Sequence, residues 1–259
     1  MKTSNDFFNL DNNVAVVIGG GGHLCSQMAI ALSKQGCKVV IIDKKIQKAK
    51  ITELKIKKIS TNDVMTLKVD VTKKNDHKIA LKKILKKFKK IDILINGAGI
   101  NSALPFFDIS IKNWNEVLDS QITGTFLGCQ VFGEYMVKKG YGSIINISSA
   151  SASPPLSKAF AYSVSKSGIV NLTKNLAREW ANKGVRVNAI RPGFFPTEWN
   201  KKNFIDKKRH QQIINHTPMK RYGDPIELCG AIIWLSSKSS SFVTGAEITV
   251  DGGFSAMTI

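Results

Sequence analysis

In the stretch "NISSASASPPLSKAFAYSVSKSG" a tyrosine and a lysine, Tyr162 and Lys166, stand four residues apart, a spacing that makes them neighbours on one helix face. A phenol with its ordinary pKa near about 10 is a poor proton donor or acceptor at neutral pH until a nearby ammonium favours its phenolate. Lys166 can supply that charge. Ser149, at the end of the preceding apolar run, carries a hydroxyl able to hold a carbonyl or alcohol oxygen against Tyr162. The chemistry this trio suits is proton transfer at a carbon–oxygen bond. Spacing alone does not secure it, because most Tyr-x-x-x-Lys pairs on helices are ordinary surface neighbours, so the surrounding elements must decide.

Those elements alternate. Seven short apolar runs, at 14–18, 38–42, 65–69, 92–95, 143–147, 185–190 and 247–250, read as strands, and six are followed by helix-length segments before the next. Such alternation predicts right-handed crossovers and a parallel sheet covered on both faces. The expected fold is therefore α/β: a single doubly wound Rossmann domain over residues 1–259, with a seven-stranded parallel sheet. Ligands of such sheets collect at the carboxyl ends of the strands.

After the first run come Gly19, Gly20, Gly21 and Gly22, then "HLCSQMAIALSKQG". A glycine turn opening a helix lets backbone approach a pyrophosphate, which the helix N-terminus then attracts. Asp43 ends the second run, where a carboxylate can accept from both hydroxyls of an adenosine ribose and repel a 2′-phosphate. NAD is thus expected over NADP, although Lys44 and Lys45 adjoin. Asp70-Val71 and "NGAG" (Asn96 to Gly99) follow the third and fourth runs and read either as cofactor contacts or as turn chemistry.

The formal charge of +19 raises the question of a polyanion partner. Of 38 basic residues only five are arginine, the residue suited to reading bases and clamping phosphate. Nucleic acid is therefore not the expected partner. The densest lysine run reads as an amphipathic helix, with Ile79, Leu81, Ile84, Leu85 and Phe88 inward and a solvated face outward. Cys25, Cys37, Cys129 and Cys229 are scattered, as expected of reduced thiols. With neither a signal peptide nor an apolar run of membrane-spanning length, the expectation is a soluble cytoplasmic protein with no membrane association.

Taken together, the glycine turn, Asp43, Asp70, "NGAG", Ser149, Tyr162, Lys166, "RPG" at 191–193 with Thr197, and the ending "FVTGAEITVDGGFS" resemble the short-chain dehydrogenase/reductase superfamily over essentially the whole chain. The resemblance implies a homotetramer that moves hydride to or from nicotinamide. It makes Tyr162 the general acid/base, with Lys166 holding the nicotinamide ribose and lowering the tyrosine's pKa, and Ser149 orienting the substrate. It also implies cofactor contacts from Gly19, Gly21, Gly22, His23, Leu24, Asp43, Asp70, Val71, Asn96, Ala98, Gly99, Pro192, Gly193 and Thr197.

Two features depart from the superfamily's pattern: His23 and Cys25 stand where its turn has glycines, and Gln121 stands where it has an asparagine that supports a proton path to the lysine. A side chain at 23 would crowd the pyrophosphate, demand a strained backbone, point away, or pair with phosphate if protonated. Gln121 keeps the amide but adds a methylene. "GGGGHLCSQMA", "INGAGIN", "RPGFFPTEWN", "HTPMKRYGDPIEL" and "VDGGFSA" resemble more narrowly the D-mannonate oxidoreductase, or fructuronate reductase-like, branch, which implies a sugar acid or polyol substrate.

Residues 194–222 lack a clear strand and stand where a substrate lid would. Arg191, Arg221 or His216 could meet a substrate carboxylate, and Asn101 or Ser151 a substrate hydroxyl. Two other functions fit parts of the pattern. One is a 3-oxoacyl-thioester reductase using NADPH, whose acidic carrier protein would suit the basic surface. The other is a non-catalytic Rossmann scaffold that binds polyanions.

Overall fold

The computed structural model of the protein describes residues 7–153, 156–203 and 205–257. Residues 1–6, part of the stretch read as lacking a signal peptide, lie outside them. All seven expected strands form: β1 (Val14–Ile18), β2 (Lys38–Asp43), β3 (Val64–Lys68), β4 (Ile93–Asn96), β5 (Gly142–Ile147), β6 (Val185–Pro192) and β7 (Glu247–Val250). They make one parallel sheet in the order β3-β2-β1-β4-β5-β6-β7. The chain order reverses beside β1, which pairs with both β2 and β4 and so opens a crevice at their carboxyl ends.

Strand alternation divides the core into two layers. Ala15, Val17, Ile41, Ile93 and Ile145 face Met28 and Leu32 of helix α1 (His23–Lys34), together with Ile232 and Leu235 near the C-terminus. Val16, Ile18, Val40, Leu94 and Ile144 face α3 (Lys74–Phe88), which follows α2 (Ile46–Lys57), and a long helix α4 over residues 111–139. With both sheet faces covered, the strands read as continuous apolar runs. The inward face of α3 differs from the expected one. His77, Ala80, Ile84 and Phe88 are buried, whereas Ile79 is 44% exposed, because it points away from the helix face those four residues share.

Inside the second layer runs a polar ladder. Asn96 of β4 donates from Nδ2 to Asn146 Oδ1 of β5 at 2.9 Å, and Asn146 Nδ2 donates to Thr173 Oγ1 at 2.9 Å. Thr173 lies on α5 (Phe160–Trp180), the helix that carries Tyr162 and Lys166, and donates in turn to the Ile169 carbonyl. All three side chains are buried, so the bonds between them help fix how the helix sits on β4 and β5, although Asn96 Oδ1 has no partner among the described residues. Asn146→Ala strands its partners in a dry core and is expected to cost about 2–4 kcal/mol in urea unfolding. A loss under about 0.5 kcal/mol would show that the ladder does not set the packing.

Candidate active site

A cleft of 440 Å³ opens at the carboxyl ends of β1, β4, β5 and β6. Gly19, Gly22, His23 and Leu24 line one side of it, and Gly99, Asn101 and Gln121 belong to its wall beyond β4. Ser149, Tyr162 and Lys166 line its middle, and Pro192, Gly193 and Thr197 the side beyond β6.

The glycine turn resolves the question His23 poses. Gly19 alone of Gly19 to Gly22 takes a positive φ (+79°), and a Cβ there would stand 2.8 Å from the Ala98 backbone. Gly22 ends the turn in extended conformation, and α1 begins at His23. His23 is not among the described non-glycine residues with positive φ, so the left-handed step of the turn falls on Gly19 and not on His23. The residue is largely exposed, and its pKa is lowered, chiefly by partial desolvation at the cleft, with Asp224 opposing. A neutral imidazole offers no charge to phosphate at neutral pH. Cys25 turns inward against Gly97, where any Cβ would overlap its sulfur. The absent glycine on α1 is thus matched by a present one after β4. Burial pushes the Cys25 thiol up to about 12, leaving a packing group.

The first turn of α1 has neither a side-chain cap nor an acidic residue, and its residues His23, Leu24 and Cys25 line the cleft. Uncapped N–H groups at a glycine turn suit a pyrophosphate. Asp43 lies behind the turn: Oδ2 accepts from Gly21 N–H at 3.2 Å and Oδ1 from Lys45 N–H at 2.8 Å. Carboxylate oxygens have lone pairs to spare, so these bonds orient Asp43 while leaving it able to accept from a ribose. Asp70 pairs with Lys44 at 2.9 Å. Burial works to raise its pKa, but hydrogen bonds from Lys44 and Thr72 prevail and hold it below the usual carboxylate range. The Val71 carbonyl accepts from His77 Nε2 at 2.9 Å. These features fit a dinucleotide.

Tyr162 and Lys166 do meet, with the ammonium 5.4 Å from the ring centroid. Lys166 Nζ donates to the Ile147 carbonyl at 2.6 Å, tying α5 to the end of β5. The expected lowering of the Tyr162 pKa is not found. Burial raises it, with a hydrogen bond to Ser149 opposing, and burial likewise lowers Lys166 to about 8. Desolvation sets the direction at both groups, disfavouring the charged form of each. Ser149 Oγ accepts from both the backbone N–H and the hydroxyl of Ser151, each at 3.2 Å, which leaves its own proton for the Tyr162 oxygen or, in exchange, a substrate oxygen.

Several expected contacts lie elsewhere. Ser151 is buried behind Ser149, and Asn96 points into the polar ladder. Arg191 is paired with Glu247, because β6 and β7 bring them side by side. Arg221 is bound by both oxygens of Glu227. His216 packs on Phe254 at 4.6 Å between ring centroids. Gln121, buried in a π turn of α4, donates from Nε2 to the Ile100 carbonyl at 2.9 Å rather than reaching Lys166. Its extra methylene carries the amide to that neighbour. The sequence reading missed Lys158, Asn200 and Arg209, which also line the cleft. Thr197 and Asn200 bond reciprocally at the start of α6 (Glu198–Asn203).

The fold and site define an oxidoreductase built to hold a dinucleotide. The family described as enoyl-(acyl carrier protein) reductase matches residues 24–255, and the chain belongs to it, within the short-chain dehydrogenase/reductase superfamily. The chain is 38% identical over 271 residues to the uncharacterized oxidoreductase UxuB of Bacillus subtilis (strain 168), with 96% of each chain covered. It is 33% identical to the 2-dehydro-3-deoxy-D-gluconate 5-dehydrogenase of Dickeya dadantii (strain 3937), over 96% of this chain and 98% of that one. Among solved structures, a gluconate 5-dehydrogenase from Burkholderia cenocepacia J2315, in complex with NADP and tartrate, superposes with a TM-score of 0.92 at 30% identity, covering 99% of this chain and 100% of that one. No helix among the described residues is long and apolar enough to cross a membrane.

The buried lysine makes stability depend on pH. Lys166 sits at about 8 in the folded protein against 10.5 as a free side chain. Below about 8 the folded state must hold a desolvated ammonium, so the cost is fully present there. Between the two values the unfolded chain binds the extra proton, so stability rises with pH across that interval. Lys166→Met in cofactor-free protein is expected to gain on the order of 2 kcal/mol at about pH 7 by urea unfolding, the gain shrinking as pH rises toward 10. A pH-independent difference would show that Lys166 carries no such penalty.

Proposed function

We propose that this chain is an NAD(H)-dependent oxidoreductase acting on the carbonyl or alcohol of a sugar acid of the D-mannonate or fructuronate type. The observation that carries the reading is the convergence of Ser149, Tyr162 and Lys166 on one cleft with the uncapped start of α1. Gly19, Gly22, Leu24, Pro192, Gly193 and Thr197 would hold the nicotinamide dinucleotide, which when bound supplies or accepts the hydride. In the reducing direction Ser149 turns its hydroxyl proton from Tyr162 to the substrate carbonyl and fixes that oxygen beside the phenol. Tyr162 then gives its phenolic proton to the developing alkoxide, and the ammonium of Lys166 stabilises the phenolate left behind. In the oxidising direction the same phenolate takes the alcohol proton.

Asp43 favours NAD by repelling a 2′-phosphate. Lys44, one of two cations able to welcome that phosphate, is already paired with Asp70. The NADP held by the Burkholderia cenocepacia enzyme keeps the phosphorylated cofactor as the second reading. The sugar-acid substrate is supported by the names of the Dickeya dadantii and Burkholderia cenocepacia relatives, and residues 194–222 would serve as its lid. A homotetramer is supported by exposed apolar side chains on α4 and α5, among them Ile111, Phe126 and Val164. The four buried free cysteines suit a reducing cytoplasm.

NADH-linked reduction of D-fructuronate or 5-keto-D-gluconate by the wild-type protein tests the reading. Tyr162→Phe is expected to lower the rate by about 10²–10⁴-fold with cofactor binding intact. An undiminished rate in that variant would remove Tyr162 from the chemistry. Turnover of a 3-oxoacyl thioester with NADPH, but of no sugar acid, would favour the acyl reading of the family.

A further inference from the structure

The charge of the cleft is one-sided. Its lining contains Lys158, Lys166 and Arg209 and no carboxylate. Lys166 is committed to the Ile147 carbonyl and the Tyr162 ring, which leaves Lys158 and Arg209 facing whatever occupies the rest of the space.

Arg209 is held for such a task. It lies in the first turn of α7 (Lys207–His216), where its own N–H donates to the capping carboxylate of Asp206 at 2.7 Å. Its guanidinium donates from Nη1 to Ser157 Oγ at 3.0 Å and from Nη2 to the Ser157 carbonyl at 3.2 Å. An arginine has five N–H donors, so this anchoring orients the group while leaving donors for a carboxylate. Among the described residues Arg209 forms no ion pair, whereas Arg191 and Arg221 are both neutralised by glutamates. Lys158 follows Ser157 directly, adopts a left-handed backbone (φ +57°), and precedes Tyr162 by four residues. One short stretch thus carries an anion-seeking end and, one helical turn on, the phenol.

Resting on the sugar-acid reading above, we propose that Arg209 and Lys158 form the subsite that binds the substrate's carboxylate and so select sugar acids over neutral sugars and polyols. The contact between Arg209 and Ser157 also ties α7 to the loop before Tyr162, so carboxylate binding would fasten residues 194–222 over the cleft.

The test is calorimetric titration of the NADH-loaded protein with D-gluconate, a hexonate that NADH cannot reduce further, and with D-glucitol as its uncharged counterpart. Arg209→Met is expected to weaken D-gluconate binding about 10–100-fold while changing D-glucitol and NADH binding less than about twofold. Arg209→Lys should retain part of the affinity, and Lys158→Met should lose less than Arg209→Met. In turnover of 5-keto-D-gluconate the Arg209→Met change should appear in KM, with kcat altered less than about threefold. Unchanged D-gluconate binding in Arg209→Met, or an equal loss for D-glucitol and NADH, would overturn the subsite and leave the sugar-acid reading standing. Wild-type protein that binds neither D-gluconate nor 5-keto-D-gluconate would overturn both.

Discussion

The site depends on how closely the turn after β1 approaches the end of β4. A Cβ on Gly19 would stand 2.8 Å from the Ala98 backbone, and one on Gly97 would overlap Cys25. Two backbones and the first turn of α1 therefore meet with little more between them than the Cys25 sulfur and the Ile147 side chain packed at Gly97. That closeness keeps the crevice beside β1 shallow enough for a dinucleotide to cross while touching main chain. It also explains how a turn with side chains at 23 and 25 stays unstrained, since the left-handed step falls on Gly19 and the volume of Cys25 is accommodated by Gly97.

Around this floor the polar groups are placed by commitments made elsewhere. Asn96, Asn146 and Thr173 lock α5 onto the sheet, and Lys166 completes the attachment through the Ile147 carbonyl. Burial then sets the protonation states, holding Tyr162 protonated and weakening the hold of Lys166 on its proton. A buried ammonium beside a buried phenol costs stability and gains a pair that responds strongly to new charge, an arrangement common where proton transfer must occur near neutral pH.

The sheet was legible because its central strands β1, β4 and β5 are short runs buried on both faces, and all seven strands lie within two residues of their expected bounds. Short-range chemistry was legible too, since Tyr162 and Lys166 needed only a helix to meet. Long-range pairing was not. Nothing local in the sequence says that Cys25 packs on Gly97, that Asn146 of a strand bonds a helix threonine, or that Arg191 and Arg221 face glutamates 56 and six residues away. Arg209 lay within the segment expected to cover the substrate, but its anchoring depends on Ser157, brought to it by the fold. The upward direction of the Tyr162 pKa in the cofactor-free cleft was not legible for the same reason, because burial is a property of the assembled cleft.

The central claim is that the altered glycine turn holds a nicotinamide dinucleotide and that Asp43 chooses between its two forms. Titration of the purified protein with NADH and, separately, NADPH in a calorimeter tests it most directly. The account predicts tight NADH binding, with NADPH weaker by at least about tenfold. Absence of binding by either would contradict it.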